Sequence, residues 1–245
     1  MSDPAAAAVG QASRGAPALA RVPAATPQRE AVVTHIRRAI VLGDLRPGEK
    51  LREVKLAAAL NVSRPTLREA LNLLVQDGLL VQEPYRGYSV TKLDPETVRD
   101  IARTRVPLDL IAVSGILEDS TGRRRGLIRD AWDEFEPLAF DSDPLIQHEA
   151  HIAFHHRLWA ASENRMLLRL WPVTEALITI VLAQDQAARA DPARAHALHR
   201  QLVEAIVSGD VVGIEHQLRQ HTIASAEELL ARPLRQGEAQ AVRDD

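Results

Sequence analysis

Cysteine is absent from all 245 residues, which excludes both a disulfide framework and a thiolate metal site, so any metal must be held by nitrogen and oxygen. Aromatic residues are also scarce, at 3% of a chain that is 46% hydrophobic. Ala, Leu, Arg and Glu dominate instead, and that composition favours helices over sheets. No apolar run is expected to approach the roughly 18 residues that cross a bilayer, and the N-terminus lacks the charged-then-apolar order of a signal peptide. These absences predict a soluble, cytoplasmic, mainly α protein with no membrane partner. Its length suits two modest domains, each with a core of its own.

The formal net charge of −3 hides an asymmetry. Residues 29–92 hold 11 Lys/Arg against 7 Asp/Glu, whereas residues 93–245 hold 17 against 25. A basic front and an acidic back suggest that only the front meets a polyanion, although ordinary solvated surface would also account for a local +4.

Residues 1–25 have Ala, Pro, Gly and Ser without apolar periodicity and read as a disordered arm; residues 233–245 read as a flexible tail. Between them, 26–92 and 93–232 are expected to form two domains. Thr26-Pro27 can cap and open a first helix, lined by Val32, Ile36, Ala39 and Ile40 and stopped by Gly43. In the stretch from Glu53 to Asn72, Leu56, Ala57 and Leu60 give one helix an apolar face, and Asn61-Val62 breaks it. Ser63 can then cap a second helix whose apolar residues Leu67, Ala70, Leu71 and Leu74 follow the i, i+3, i+4, i+7 pattern. This is a helix-turn-helix. The leading end of the second helix carries Ser63, Arg64, Thr66 and Arg68 with no carboxylate before Glu69, a set suited to phosphates and base edges. Leu79–Val81 and Tyr88–Thr91 alternate like two strands around 83–87, forming a wing.

The ordered blocks G-D-L-R-P-G at 43–48, L-R-E at 51–53, L-A at 56–57, N-V-S-R-P-T-L-R-E-A-L at 61–71, D-G-L-L at 77–80 and R-G-Y-S-V at 86–90 closely resemble the winged helix-turn-helix of the GntR family of bacterial transcription regulators. The resemblance implies DNA contacts by Ser63, Arg64, Thr66 and Arg68 and, at the wing tip, by Arg86 and Gly87. Arg64 is the candidate for reading guanine, while Thr66 and Arg68 would hold phosphate. The ordinary alternative for Arg68 is a surface ion pair.

Beyond Asp94 the punctuation is regular. Asp94-Pro95, Asp143-Pro144 and Asp191-Pro192 each offer a cap with proline at the first helical position. Helices are expected near 95–118, 123–139, 144–162, 165–188, 192–208 and 211–231, an all-α bundle with Trp132, Phe135, Phe140, Phe154, Trp159 and Trp171 in its core. Eight of the nine histidines fall between 148 and 221. A lone helix-face histidine is usually only a polar residue, but His151 and His155 share a face at i, i+4, and His199 and His221 lie on later helices. Such a set can assemble an imidazole metal site inside a bundle, with His148, His156, His196 and His216 left on the surface.

This second half resembles the FCD ligand-binding domain of the family's FadR-type branch. Its metal-binding members carry D-x-x-F-H and, further on, H-x-x-L…G-D…H. Here H-I-A-F-H at 151–155 stands for the first, with His155 on the family's histidine; His199, Leu202, Gly209, Asp210 and His221 are in register with the second. His151 replaces the family's aspartate. A four-histidine site carries one negative charge fewer and should prefer a divalent transition ion such as Zn²⁺ or Ni²⁺ over Mn²⁺. R-V-P-L-D at 105–109 resembles the family's R-x-x-L-E, which implies that Arg105 faces a small organic acid effector, a salt bridge to Asp109 being its ordinary alternative.

The resemblance therefore implies a homodimeric, effector-responsive regulator, most often a repressor, on a pseudo-palindromic double-stranded operator. A metal sensor whose effector is the ion stays open. A metal-dependent hydrolase is disfavoured because no H-E-x-x-H occurs, although Glu149 lies near His151.

Overall fold

The computed structural model describes residues 27–184 and 191–231. Helix α1 (Pro27–Leu42) leads to strand β1 (Lys50–Leu51), helices α2 (Glu53–Ala59) and α3 (Arg64–Gln76), and strands β2 (Leu80–Glu83) and β3 (Gly87–Val90). The strands form one antiparallel sheet in the order β1-β3-β2, with Leu51 opposite Tyr88 and Val81 opposite Ser89. The two wing strands were expected; the two-residue β1 is too short to show a period in sequence. Between α2 and α3, Asn61 takes φ 52°, a left-handed conformation that asparagine tolerates. Leu67, Ala70, Leu71 and Leu74 of α3 are fully buried against Val32, Ile36 and Ile40 of α1, as their periodicity predicts.

The second half is α4 (Pro95–Leu117), α5 (Arg123–Phe135), α6 (Pro144–Ala161), α7 (Arg165–Gln184), α8 (Pro192–Ser208), α9 (Val211–Arg219) and α10 (Ser225–Ala231). Asp94, Asp143 and Asp191 cap their helices as expected, each accepting a hydrogen bond from the first turn. α5 ends at Phe135 in a 3₁₀ turn over Glu136–Leu138, where Pro137 offers no N–H to continue the helix. The helix expected over 211–231 is continuous but contains a π-turn at Gln220–Ala224 joining α9 to α10. The sheet is small, and helices dominate both halves among the described residues.

Three expectations need correction. Phe140 is 52% exposed rather than core, because the chain has left the helix before it and its ring rests on His196. Residues Arg165–Ala183 form a helix with mean hydropathy 1.7, long and apolar enough by composition to cross a bilayer, so the chain does contain one such run. Its apolarity has a structural use. Leu167, Trp171 and Ile178 sit in the bundle core, whereas Ile180 and Ala183 join the core beneath the winged unit. Finally, His148 and His196 are half-buried, whereas His156 and His216 are exposed as expected. Thr26, the arm, the tail and the end of the helix expected to reach 188 lie outside the described residues.

Two ion pairs run from the middle of α1 to its neighbours. Arg37 meets Asp77, the C-cap of α3, at 2.9 Å, and Arg38 meets Asp143, the N-cap of α6, at 3.2 Å. Adjacent arginines on one helix thus touch the end of α3 and the start of the helix that carries His151 and His155.

Candidate metal centre and DNA-reading surface

The leading end of α3 is a built surface. The Ser63 hydroxyl accepts from the Thr66 N–H at 3.2 Å, capping the helix, and its oxygen lies 2.8 Å from the Thr66 hydroxyl. Arg64 projects exposed from the first turn. Arg68 donates to Glu53 of α2 at 2.6 Å, so the ion-pair alternative for Arg68 is realised in the free protein. At the wing tip, Arg86 pairs with Glu83 at 3.3 Å and Gly87 takes φ 80°, while fully exposed Tyr85 takes φ 64°. The Tyr88 hydroxyl donates to Asn72 of α3 at 2.8 Å and ties the wing to this helix. Sequence reasoning placed Tyr88 in a wing strand but did not find this tether, because no spacing rule marks it.

In the bundle, three helical segments bring His151, His155, His199 and His221 together, each offering a ring nitrogen within 4.8 Å of the others. His151 and His155 come from α6, and His199 comes from α8, which Gly209 ends in a left-handed C-cap before Asp210 caps α9. His221 comes from the π-turn, a widened turn of the kind often found at functional sites. His155 Nε2 lies 3.2 Å from His199 Nε2 and 2.9 Å from His221 Nε2. Ligands about 2.0–2.1 Å from a tetrahedral ion stand roughly 3.3 Å apart, so this spacing suits coordination.

Their protonation suits it too. Burial pushes all four imidazoles down, His199 to about 4 and the others well below the ordinary 6.5, with the nearby Arg105 guanidinium lowering each further. The rings are therefore neutral at pH 7 and present lone pairs. His199 Nδ1–H donates to the Ala195 carbonyl at 2.6 Å, which fixes the tautomer with Nε2 free. One Nε2 proton on His155 cannot satisfy both neighbouring nitrogens, and His155 Nδ1 is buried without a partner. A cation among the four nitrogens resolves that conflict, so the residues fit a divalent metal.

Arg105 of α4 reaches the same place. It is 8% exposed and lines, with His151, His199 and His221, a cavity of about 120 Å³. Its Nε lies 3.3 Å from Asp109 Oδ2 without the alignment of a hydrogen bond. Asp109 is fully buried and accepts from the Trp159 indole N–H at 2.7 Å; burial pushes its carboxyl up, against the opposing influence of Arg105 and Trp159. The ion-pair alternative for Arg105 is thus realised, with Asp109 bracing a guanidinium that also lines the cavity. The supporting Trp159 lies 50 residues away in sequence and carries no local signal.

Two family sequence models match the chain: bacterial regulatory proteins of the gntR family over residues 28–90, and the FCD domain over residues 100–224. The HTH-type transcriptional regulator YdhC of Bacillus subtilis is 30% identical over 146 residues, or 59% of this chain and 65% of that protein, just under two thirds of its length. A protein of Paenarthrobacter nicotinovorans, named a probable D-xylose utilization operon transcriptional repressor, is 28% identical over 80% of this chain and 88% of its own. A crystal structure of a GntR regulator from Rhodococcus sp. RHA1 superposes with a TM-score of 0.68 at 24% identity, covering 85% of this chain and all of that one, and so shares the fold. The matched families are transcription regulators, not enzymes.

Proposed function

The chain belongs to the GntR family of DNA-binding transcription regulators, with an FCD domain following its winged domain, and from that premise we propose a homodimeric repressor controlled by a small organic acid at a histidine-held divalent metal. The observation that supports the acid-and-metal part is the cluster of four neutral imidazoles, three of which line one cavity with Arg105. A four-imidazole set selects Zn²⁺ or Ni²⁺ over harder ions. When bound, the ion supplies a fixed positive centre for an anionic ligand. His151, His155, His199 and His221 hold it, and Arg105 offers a planar fork for a carboxylate. Repression, rather than activation, is supported by the repressor name of the Paenarthrobacter relative.

On the DNA side, Arg64 reads a base in the major groove, Ser63, Thr66 and Arg68 hold the backbone, and Arg86 and Gly87 follow the flanking groove. Arg68 must exchange Glu53 for phosphate on binding. Two copies in a two-fold dimer, in the cytoplasm where the DNA lies, address two halves of a pseudo-palindromic operator. The acid acts through its different affinity for two placements of the winged domain relative to the bundle. The Arg38–Asp143 and Arg37–Asp77 pairs support α6 and α1 as the route between the site and the reader.

One observation favours a second reading. Four protein ligands complete a tetrahedral shell, as in closed metal sites, which suits a sensor whose effector is the ion itself. Operator binding by the protein stripped of metal, loaded with zinc, and loaded with zinc plus an organic acid separates the two. Release by acid alone, with zinc retained, supports the first reading; release or capture by zinc alone overturns it in favour of the second.

A further inference from the structure

The wall of the effector cavity has a chemistry of its own. Val98 and Ile101 of α4, Leu182 of α7, Leu198 of α8 and Leu229 of α10 all line it. Most polar groups in that wall are already engaged. Ser225 donates to the Gln220 carbonyl, Asp191 accepts from the Arg194 N–H, and Arg194 pairs with Glu228 at 2.7 Å.

Two groups are not. Arg105 Nη2 and Thr222 Oγ1 are buried with no hydrogen-bond partner among the described residues, and each residue is only 8% exposed. Buried polar atoms in folded proteins are nearly always paired, so two orphans lining one apolar cavity point to a ligand that pairs with them. Thr222 follows His221 in the π-turn, and α4, which bears Arg105, packs directly against that turn. A guanidinium N–H and a hydroxyl are both donors to a carboxylate, and together with the histidine centre they serve one such group. Beyond that group the wall offers hydrocarbon.

Resting on the acid-effector reading above, we propose that the effector is a monocarboxylate with an apolar body, its carboxylate received by Arg105 and the Thr222 hydroxyl, and that Thr222 is a specificity-determining residue of the site. A sugar acid or tricarboxylate carries several further polar groups into a wall that is mostly hydrocarbon, and each group buried there without a partner weakens binding.

The test is calorimetric titration of the zinc-loaded full-length protein with hexanoate, gluconate and citrate, with zinc content followed by elemental analysis. The expected result is hexanoate binding at least ten-fold tighter than either polar acid. Thr222→Val should weaken hexanoate at least five-fold at unchanged zinc content, and Thr222→Ser should restore it. Gluconate or citrate binding as tightly as hexanoate overturns the apolar-body inference but leaves the acid-effector reading standing. An unchanged hexanoate affinity in Thr222→Val removes Thr222 from the site. Failure of all three acids to bind defeats the acid-effector reading itself, and this inference with it.

Discussion

The winged unit and the bundle use the same kinds of residue in opposite ways. In the winged unit most of the candidate DNA-binding groups stand at the surface of a continuous 61–71 stretch, while the fully buried Leu67, Leu71 and Leu74 hold that helix in place. In the bundle the polar groups are themselves buried, apart from half-buried His151, and are drawn from α4, α6, α8 and the π-turn and held by partners such as Ala195 and Asp109. The difference teaches where each half is vulnerable. An exposed arginine on a finished helix can be removed without cost to the fold, whereas a buried histidine couples chemistry to packing.

The comparison breaks most sharply at the metal. His199→Ala combined with His221→Ala should take metal from one ion per chain to none by elemental analysis, leaving the winged unit folded; a full complement in the double variant would remove the centre from the account. Next in size, Arg64→Ala should lower specific operator affinity more than about 100-fold in a dimer, since each bidentate arginine–guanine contact contributes about 1–3 kcal/mol and two half-sites share the loss. Its thermal midpoint should not move, because Arg64 is exposed. Retained sequence preference would show that α3 is misassigned.

Leu71→Ala sharpens the contrast from the other side. It should destabilise the protein by about 2–5 kcal/mol, the usual cost of such a cavity, without altering metal content. Acid titration follows. The four imidazoles have folded-state pKa values below their unfolded ones, His199 at about 4 against 6.5. The unfolded chain therefore takes up more protons below pH 6.5, so this contribution is complete above 6.5 and lost as pH falls through about 4. For His199 it is about 3 kcal/mol, and metal-free protein followed by circular dichroism from pH 7 to 4 should show the loss. Smallest is Asp143→Asn, which keeps the α6 cap but discards the ion pair with Arg38. Stability should change by less than about 1 kcal/mol. The effect of bound metal and acid on operator affinity should shrink; an undiminished response would place the coupling elsewhere.

Contiguity also explains what was legible in the sequence. Ser63, Leu67, Ala70, Leu71 and Leu74 announce α3 through a cap and a helical period, and Asp94, Asp143 and Asp191 announce their helices in the same way. The i, i+4 pair His151 and His155 could be read as one face, but the meeting with His199 and His221 rested on a resemblance, since spacing alone does not say which helices pack together. The i, i+4 pair of Arg105 with Asp109 was readable as a salt bridge, but the π-turn, the support of Asp109 by Trp159 and the unpartnered Thr222 hydroxyl had no local signature. They arise from tertiary packing across the bundle. Phe140 was misplaced for a related reason: an aromatic beyond a helix end carries no period to show which way it faces.

The central claim is that the buried histidine site governs the exposed reader. Fluorescence anisotropy on an operator duplex, selected by the protein from random sequences, tests it directly as whichever of hexanoate, gluconate and citrate binds tightest is added to zinc-loaded wild-type protein and to the His199→Ala, His221→Ala variant. The account predicts at least ten-fold weaker DNA binding at saturating acid for the wild type and no response in the variant. Equal responses from both proteins, or none from either, would contradict it.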